Sequence, residues 1–407
     1  MICSSPEPDF PTEIVEEGRV KVLVPKLQAF VKSPSEYAPS KAPVFYNPVM
    51  ELNRDFTVLA LQAYQRMVGR EISVCDPLTA CGFRGMRFAV EVKGVRKVVM
   101  NDINERAFRL ATLNVRMNKL TTRVTVKNEE ANFLLSGHSA PHKRFDFIDV
   151  DPFGSPVPFL DSAMRALRDG GLLALTATDM APLCGVHPKA CIRKYGGKPL
   201  RTEYSHESAV RLLAGCVATT AARQEMGVEI VFSHRSEHYV RVYALIRYGA
   251  KNADESIKSM GYLLHCFNCF HRENANKMFT PERLDKCGEC GARLSVSGPL
   301  WLGKLANMKF CELMEENVQQ TRLRLAGKLK KMLALIKNEA EAQVGYYVVD
   351  RLCDSLNLPV PSVRKVVAAL QGKGFLASLT HFNARGIKSD VSASEIRKTV
   401  SELVNGS

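Results

Sequence analysis

The sequence predicts a doubly wound α/β sheet closed by an antiparallel hairpin, followed by a metal-bearing α+β domain. Three observations predict it. From Glu71 to Gly249, short β-rich runs alternate with helical patterns, the signature of βαβ units on a parallel sheet. The last two runs, Val228–His234 and Tyr239–Tyr248, are separated only by Arg235 to His238, too short a link for a parallel crossover. Beyond Lys251 the alternation stops and two Cys-x2-Cys pairs appear.

Taken in order, the first run is Ile72–Asp76, then a loop and a helix near Arg87 to Glu91. The second is Lys97–Asp102, followed by a helix through Leu120; Val124–Val126 is the third run and Phe145–Asp151 the fourth. Gly171–Thr176 is the fifth, and a long helix from Glu207 to Met226 precedes the hairpin. Parallel strands with a closing antiparallel pair resemble the Rossmann-like sheet of class I S-adenosylmethionine-dependent methyltransferases more than a dinucleotide dehydrogenase. After the cysteine segment, Tyr262 to Ser297, comes a helical stretch from Lys304 to Glu341. The tail, Gly345 to Lys388, reads helix, Pro-bounded turn, helix, short strands, which suits a winged-helix-like unit or a plain helical cap.

Composition narrows the setting. The chain has 407 residues, 46% hydrophobic and 24% charged, room for two or three domains at roughly 100–200 residues each. No apolar run approaches the ~18 residues of a membrane span, and the N-terminus lacks a signal-peptide pattern, so no membrane partner is expected. Lysine and arginine (56) exceed aspartate and glutamate (42) by 14, an excess that favours polyanions, and nucleic acid is the expected partner. Twelve cysteines in this length are too sparse for a disulfide scaffold, and four stand in metal spacing, which fits a reducing, intracellular compartment.

In a doubly wound sheet the ligand lies beyond the carboxyl ends of the strands. The loop Asp76-Pro77-Leu78-Thr79-Ala80-Cys81-Gly82-Phe83-Arg84-Gly85 stands there after the first run, with Gly82 and Gly85 expected to let backbone approach the ligand. It matches neither a GxGxxG nor a Walker loop, and a plain strand-to-helix turn would read similarly. Asp102 ends the second run at about the spacing where a carboxylate meets ribose hydroxyls. The bland alternative is that Asp102 or Asn104 caps the next helix. Glu130 is placed to accept from an adenine amino group or to be a solvated loop acid.

Asp149-Val150-Asp151-Pro152-Phe153-Gly154 closes the fourth run. It combines a strand-end carboxylate, a proline without a donor, an aromatic face and a turn glycine. An exocyclic purine amine is a poor nucleophile, because its lone pair is delocalised into the ring. Acceptors on its N–H groups, Asp151 and the carbonyls beside Pro152, would localise that pair while Phe153 stacks on the base. A strand-end acid followed by a turn proline is the alternative.

Cys266-x2-Cys269-x17-Cys287-x2-Cys290 supplies four thiolates for a tetrahedral zinc with no open position, hence a structural site. Asp179, at the end of the fifth run, lines the same crevice or serves a cap or turn. Lys189 to Arg201 carries five cations and no acid, and reads as a flexible basic flap for nucleic-acid phosphates or as a solvated loop. Arg322, Arg324, Lys328, Lys330 and Lys331 add a basic helix surface.

Several segments in their joint order resemble the tRNA (guanine-26-N2)-dimethyltransferase family. They are Phe45-Tyr46-Asn47-Pro48-Val49-Met50 with Asn53-Arg54-Asp55, Cys81 to Gly85, Asp151-Pro152-Phe153-Gly154-Ser155-Pro156, Thr178 to Gly185, His238 to Val242, Gly298 to Gly303, and Thr380-His381-Phe382. The resemblance runs from Glu16 to Asp390. It implies transfer of one or two methyl groups from S-adenosylmethionine to N2 of guanosine 26 in tRNA, in the cytoplasm. It implies Arg54, Asp76, Arg84, Asp102, Glu130 and Ala131 as cofactor-binding residues, and Asp151, Pro152 and Phe153 as the catalytic group. The sequence departs from the family at Met50, at Thr79-Ala80-Cys81-Gly82-Phe83 and at Glu130.

The expected layout is a methyltransferase domain with an N-terminal extension over 1–250 and a tRNA-recognition domain over 251–407. The latter holds a four-cysteine zinc site (262–298) and the winged-helix-like tail (about 340–390). Oligomeric state is open, a monomer being the expectation. Two rival readings are a methyltransferase acting on another amine, opposed by the single proline at 152, and a zinc-containing nucleic-acid binder with an inactive Rossmann-like part.

Overall fold

The β-rich runs of the first two-thirds of the chain form one seven-stranded sheet in a computed structural model that describes residues 8–33, 37–275, 286–321 and 323–405. Arg322 lies outside the described residues. The strands are β1 (Ile72–Asp76), β2 (Val95–Asn101), β3 (Val124–Lys127), β4 (Phe145–Val150), β5 (Leu167–Ala177), β6 (Met226–Ser236) and β7 (Tyr239–Tyr248). Their order across the sheet is β3-β2-β1-β4-β5-β7-β6. The pairs β1/β2, β2/β3, β1/β4 and β4/β5 are parallel, and β6/β7 is antiparallel. The hairpin link is only Glu237 and His238, as the short spacing requires.

Parallel strands are covered on both faces and so read as continuous apolar runs. Val74, Val98, Phe147, Ile148, Leu172 and Leu173 are all fully buried. The strand order reverses between β1 and β4, so the carboxyl ends of these two strands flank the crevice where such sheets take their ligands. Asp76 ends one and Asp151 comes directly after the other.

Three helices frame that crevice: α1 (Glu51–Val68), α2 (Phe83–Glu91) and α3 (Glu105–Met117). α2 begins earlier than the sequence suggests because Gly82, at φ 89°, takes the left-handed conformation at its N-cap. A Cβ on Gly82 would fall 2.6 Å from Met100 Cε, and one on Gly85 2.4 Å from Met100 Cγ. These glycines therefore let α2 pack on the Met100 side chain of β2. A hairpin of Thr12–Glu17 and Val20–Pro25 precedes these elements.

By its internal contacts the chain divides into two compact units. One comprises the chain up to Pro152, Pro158–Leu175 and Glu312–Lys330; the other comprises Phe153–Val157, Thr176–Cys311 and the chain from Lys331 onward. Within the second unit, Arg272–Ala275, Met260–His265 and Ser295–Trp301 form a three-stranded antiparallel sheet that carries the cysteine pairs at its ends. The tail runs strand Tyr347–Val348, helix Val349–Leu356, helix Val363–Gly372, then strands Ala377–Leu379 and Gly386–Ser389. That is the element order of a winged helix. A final helix, Ala393–Asn405, lies beyond the tail read from sequence and buries Ile396 and Val400 against Leu352, Val366 and Leu370.

The basic segment is not a flexible flap. Residues Pro188–Tyr195 form a helix capped by Gly196, with Cys191 and Tyr195 buried. Lys198 then exchanges two backbone hydrogen bonds with Gly298, 2.9 and 2.8 Å. Its five cations, Lys189, Arg193, Lys194, Lys198 and Arg201, remain exposed on this ordered scaffold.

Candidate functional site

The carboxyl end of β4 presents Asp151 to a buried arginine of α2. Arg84 forms a short ion pair with Asp151 Oδ2 through Nη2. The same Nη2 donates to Asn53 Oδ1 at 3.0 Å, and Nη1 donates to Thr57 Oγ1 at 3.0 Å and lies 3.5 Å from Asp149 Oδ2. Asn53 and Thr57 stand one helical turn apart on α1, so both face the same guanidinium. Arg84 is thus fixed by partners on α1 and β4, and its cation is directed at the carboxylate that the sequence singles out for catalysis. Asp151 is partly exposed, at 19% of its side chain, as a substrate-facing acceptor must be.

Asp76, fully buried at the end of β1, accepts from Thr79 Oγ1 (2.7 Å) and the Gly85 backbone N–H (3.2 Å) through Oδ2. Its Oδ1 is buried without a hydrogen-bond partner. Burial, with the charge of Asp149 adding to it, pushes its carboxyl up to about 7. For an acid raised from 3.8, the associated stability is present below pH 3.8 and is lost as pH rises through 7. Asp76→Asn is therefore expected to raise the thermal stability of the ligand-free protein at pH 8, with the gain vanishing near pH 4. Melting curves of both proteins across that range check this, and a pH-independent difference would contradict it.

Asp102 spans the loop and the start of α3. Its Oδ2 accepts from Ala80 N–H (2.9 Å) and its Oδ1 from Asn104 N–H (2.9 Å). Asn104, accepting from Arg106 N–H at 3.0 Å, is the N-cap of α3, so capping falls to it and not to Asp102. Ala80 sits at φ 49°, a conformation that Asp102 helps to hold. Burial raises the Asp102 carboxyl above its ordinary value. Glu130 is exposed and caps the short helix Ala131–Ser136, accepting from Phe133 N–H at 2.8 Å, while Ala131 is buried. Asn101 ties the two strand ends together through Glu129, at 3.0 Å in each direction. Two exposed apolar residues adjoin these acids, Ile103 (67%) and Phe133 (71%), and no sequence pattern singles them out.

Arg54 is occupied elsewhere. It grips Glu17 through Nε (2.6 Å) and Nη2 (2.5 Å), donates to the Asn47 carbonyl at 3.2 Å, and lies 5.0 Å above the Phe83 ring. Glu17 also pairs with Arg87 (2.9 Å), which binds Asp55 (2.8 Å) and Glu91 (2.9 Å) in turn. Burial alone would raise the Glu17 carboxyl, but Arg54 and Arg87 bring it below the usual range. Asp55 goes the other way, pushed by burial to about 6. No sequence signal announces this network, since Glu17 and Arg87 are seventy residues apart and neither stands in a chemical motif.

Beyond Asp151, Pro152 is half-buried and Phe153 is 70% exposed. Gly154, at φ 73°, donates to Thr178 Oγ1 (2.8 Å) and accepts from Thr178 N–H (2.9 Å). Asp179 accepts from Tyr195 Oη (2.5 Å) and Lys194 Nζ (2.9 Å), so it serves a structural contact rather than a cap.

The four cysteine sulfurs of the second unit lie within 4.8 Å of one another, with Cys266–Cys290 at 3.4 Å and Cys269–Cys287 at 3.5 Å. Four sulfurs about 2.3 Å from one ion would be roughly 3.8 Å apart at tetrahedral corners. Each pair stands on a tight turn, Phe270 N–H to Cys266 O and Gly291 N–H to Cys287 O, both 2.9 Å. His271 is engaged by Glu289 and Glu273 and is not a fifth ligand.

Comparison with known proteins gives the context. The profile of the N2,N2-dimethylguanosine tRNA methyltransferase family matches residues 18–401. A tRNA (guanine(26)-N(2))-dimethyltransferase of Methanothermobacter thermautotrophicus is 41% identical over 390 residues, covering 96% of this chain and 99% of that one. A tRNA (guanine(26)-N(2)/guanine(27)-N(2))-dimethyltransferase of Aquifex aeolicus is 37% identical, with 96% of each chain covered. The solved structure of Trm1 from Pyrococcus horikoshii with S-adenosyl-L-methionine superimposes with a TM-score of 0.83 at 33% identity, over 95% of this chain and 99% of that one.

Proposed function

The chain belongs to the N2,N2-dimethylguanosine tRNA methyltransferase family, and we infer from this that it transfers methyl groups from S-adenosylmethionine to the exocyclic N2 of guanosine 26 in tRNA. The observation that carries the reading is Asp151, held by Arg84 beyond the end of β4 on one flank of the switch-point crevice. The test is incubation with labelled S-adenosylmethionine and unmodified tRNA, then digestion and identification of the nucleoside. N2-methylated guanosine is the expected product; label in any other nucleoside overturns the assignment.

The crevice fits the cofactor. Asp76 Oδ1 is a buried acceptor lacking a donor, and the cofactor's amino group is such a donor. Asp102 offers carboxylate oxygens for ribose hydroxyls, and Glu130 with Ala131 stands on the adenine side, flanked by the exposed Ile103 and Phe133. Arg54 and Arg84 act on this site as the framework that fixes α1, α2 and Asp151. The bound cofactor supplies an electrophilic methyl group on a sulfonium. Asp151 accepts an N–H of the guanine amine, which returns lone-pair density to N2, and Phe153 gives the base a stacking face. Guanosine 26 must leave its stack to be reached, at a cost of a few kcal/mol.

The domain assignment follows the same reading: methyl transfer in 1–250 and tRNA recognition in 251–407. Exposed cations on the Pro188–Tyr195 helix and on Ala326–Glu339 supply phosphate contacts. The four-sulfur cluster holds a structural zinc, since four thiolates leave no open coordination position. The protein is expected to hold about one zinc per chain by elemental analysis, and Cys269→Ser to hold less than about a tenth of that. Full zinc content in the variant would contradict the site. Reduced thiols and a tRNA substrate favour the cytoplasm as the enzyme's compartment.

A further inference from the structure

We propose that Thr178, Asp179 and Tyr195 are positioning residues that fix the Phe153 loop and join it to the basic Pro188–Tyr195 helix, so that the surface for the tRNA backbone and the stacking face for the base move as one element. The inference rests on the methyltransferase reading above.

The residue that must present a flat face to an extruded base is itself 70% exposed. The residue that follows it, Gly154, is tied to the chain beyond β5. Gly154 is clamped at both polar backbone atoms by Thr178, at 2.8 and 2.9 Å, which leaves that peptide little freedom to swing. The Tyr195 phenol has one proton, which it gives to Asp179 Oδ1 at 2.5 Å. Burial is the largest influence raising the Tyr195 phenol well above its ordinary value, and the bond to Asp179 adds to it, which keeps the proton in place.

Tyr195 is the last residue of the helix whose exposed Lys189, Arg193 and Lys194 suit phosphate oxygens. Lys194 is also bound to Asp179 at 2.9 Å. Asp179 therefore receives one bond from the buried Tyr195 and one from the exposed Lys194, and the adjacent Thr178 holds the Phe153 loop. The helix is in turn anchored by the Lys198–Gly298 bridge. A shift of this helix would be transmitted to Gly154 through the bond of Tyr195 to Asp179 and those of the adjacent Thr178 to Gly154.

Tyr195→Phe removes one oxygen and leaves the ring packing intact. Methylation of unmodified tRNA is measured alongside S-adenosylmethionine affinity by equilibrium dialysis and thermal stability. The variant is expected to raise the KM for tRNA about tenfold with kcat lowered less than about threefold, and with cofactor affinity unchanged. Thr178→Val is expected to act in the same direction, and Thr178→Ser, which keeps the hydroxyl, to restore at least half of the loss. Parameters within twofold of the parent for both Tyr195→Phe and Thr178→Val overturn the clamp, as does a loss that falls equally on cofactor affinity. A parent protein that methylates no guanosine removes the methyltransferase reading and the clamp with it, whereas an active parent with unaffected variants removes the clamp alone.

Discussion

Asp151→Asn is expected to slow methyl transfer about a thousandfold while S-adenosylmethionine affinity stays within about threefold, because the change acts on the amine and not on the cofactor. Asparagine keeps the shape and one acceptor oxygen but loses the negative charge that draws density onto N2. It also leaves Arg84 facing a neutral amide, with Asp149, at 3.5 Å, as a remaining carboxylate partner. Single-turnover rates with saturating tRNA and separate cofactor-binding titrations make the distinction. A rate within tenfold of the parent would remove Asp151 from the chemistry.

Arg87→Met is expected to cost about 3–5 kcal/mol of stability, the usual consequence of breaking a buried ion network from one side. Arg87 is fully buried and touches Glu17, Asp55 and Glu91, so its removal strands carboxylates in a low-dielectric interior. Glu17 retains Arg54, while Asp55, already at about 6, has no second arginine among the ion pairs that the structure describes. Stranded buried acids bind protons more readily when folded than when unfolded, so the deficit should shrink as pH falls from 8 towards 5. Urea unfolding at both pH values checks this; a loss below about 1 kcal/mol, or one that grows on acidification, would contradict the role assigned to the network.

Much of the fold is legible in the sequence because parallel strands, covered on both faces, must be nearly continuous apolar runs, and Ile72–Asp76 falls where the pattern puts it. The hairpin is dictated by a linker too short for a crossover. The cysteine cluster is equally legible, since Cys-x2-Cys is a local spacing that the two turns realise directly. Asp102 and Asp151 can be placed at strand ends by the same local reasoning.

The illegible features depend on pairing over distance. Nothing near Arg84 announces that its guanidinium meets Asp151, sixty-seven positions away. Nor does anything near Gly82 and Gly85 announce that Met100 fills the space where a Cβ would be. The basic segment looks flexible when its cations and glycines alone are weighed, while the buried Cys191 and Tyr195 that order it carry no charge signal. Glu130 illustrates the same limit from the other side: a loop acid three residues before a backbone N–H is also an N-cap, and here it is one.

On the proposed function, the methyl group goes to the exocyclic amine of guanosine 26, with Asp151 accepting from that amine. The direct test is a tRNA carrying inosine at position 26, which keeps the ring and its stacking but lacks the 2-amino group. Methyl incorporation at that position is expected to fall to background, with the inosine tRNA still competing for binding of the guanosine form. Undiminished incorporation at position 26 would mean that another atom of the base receives the methyl group.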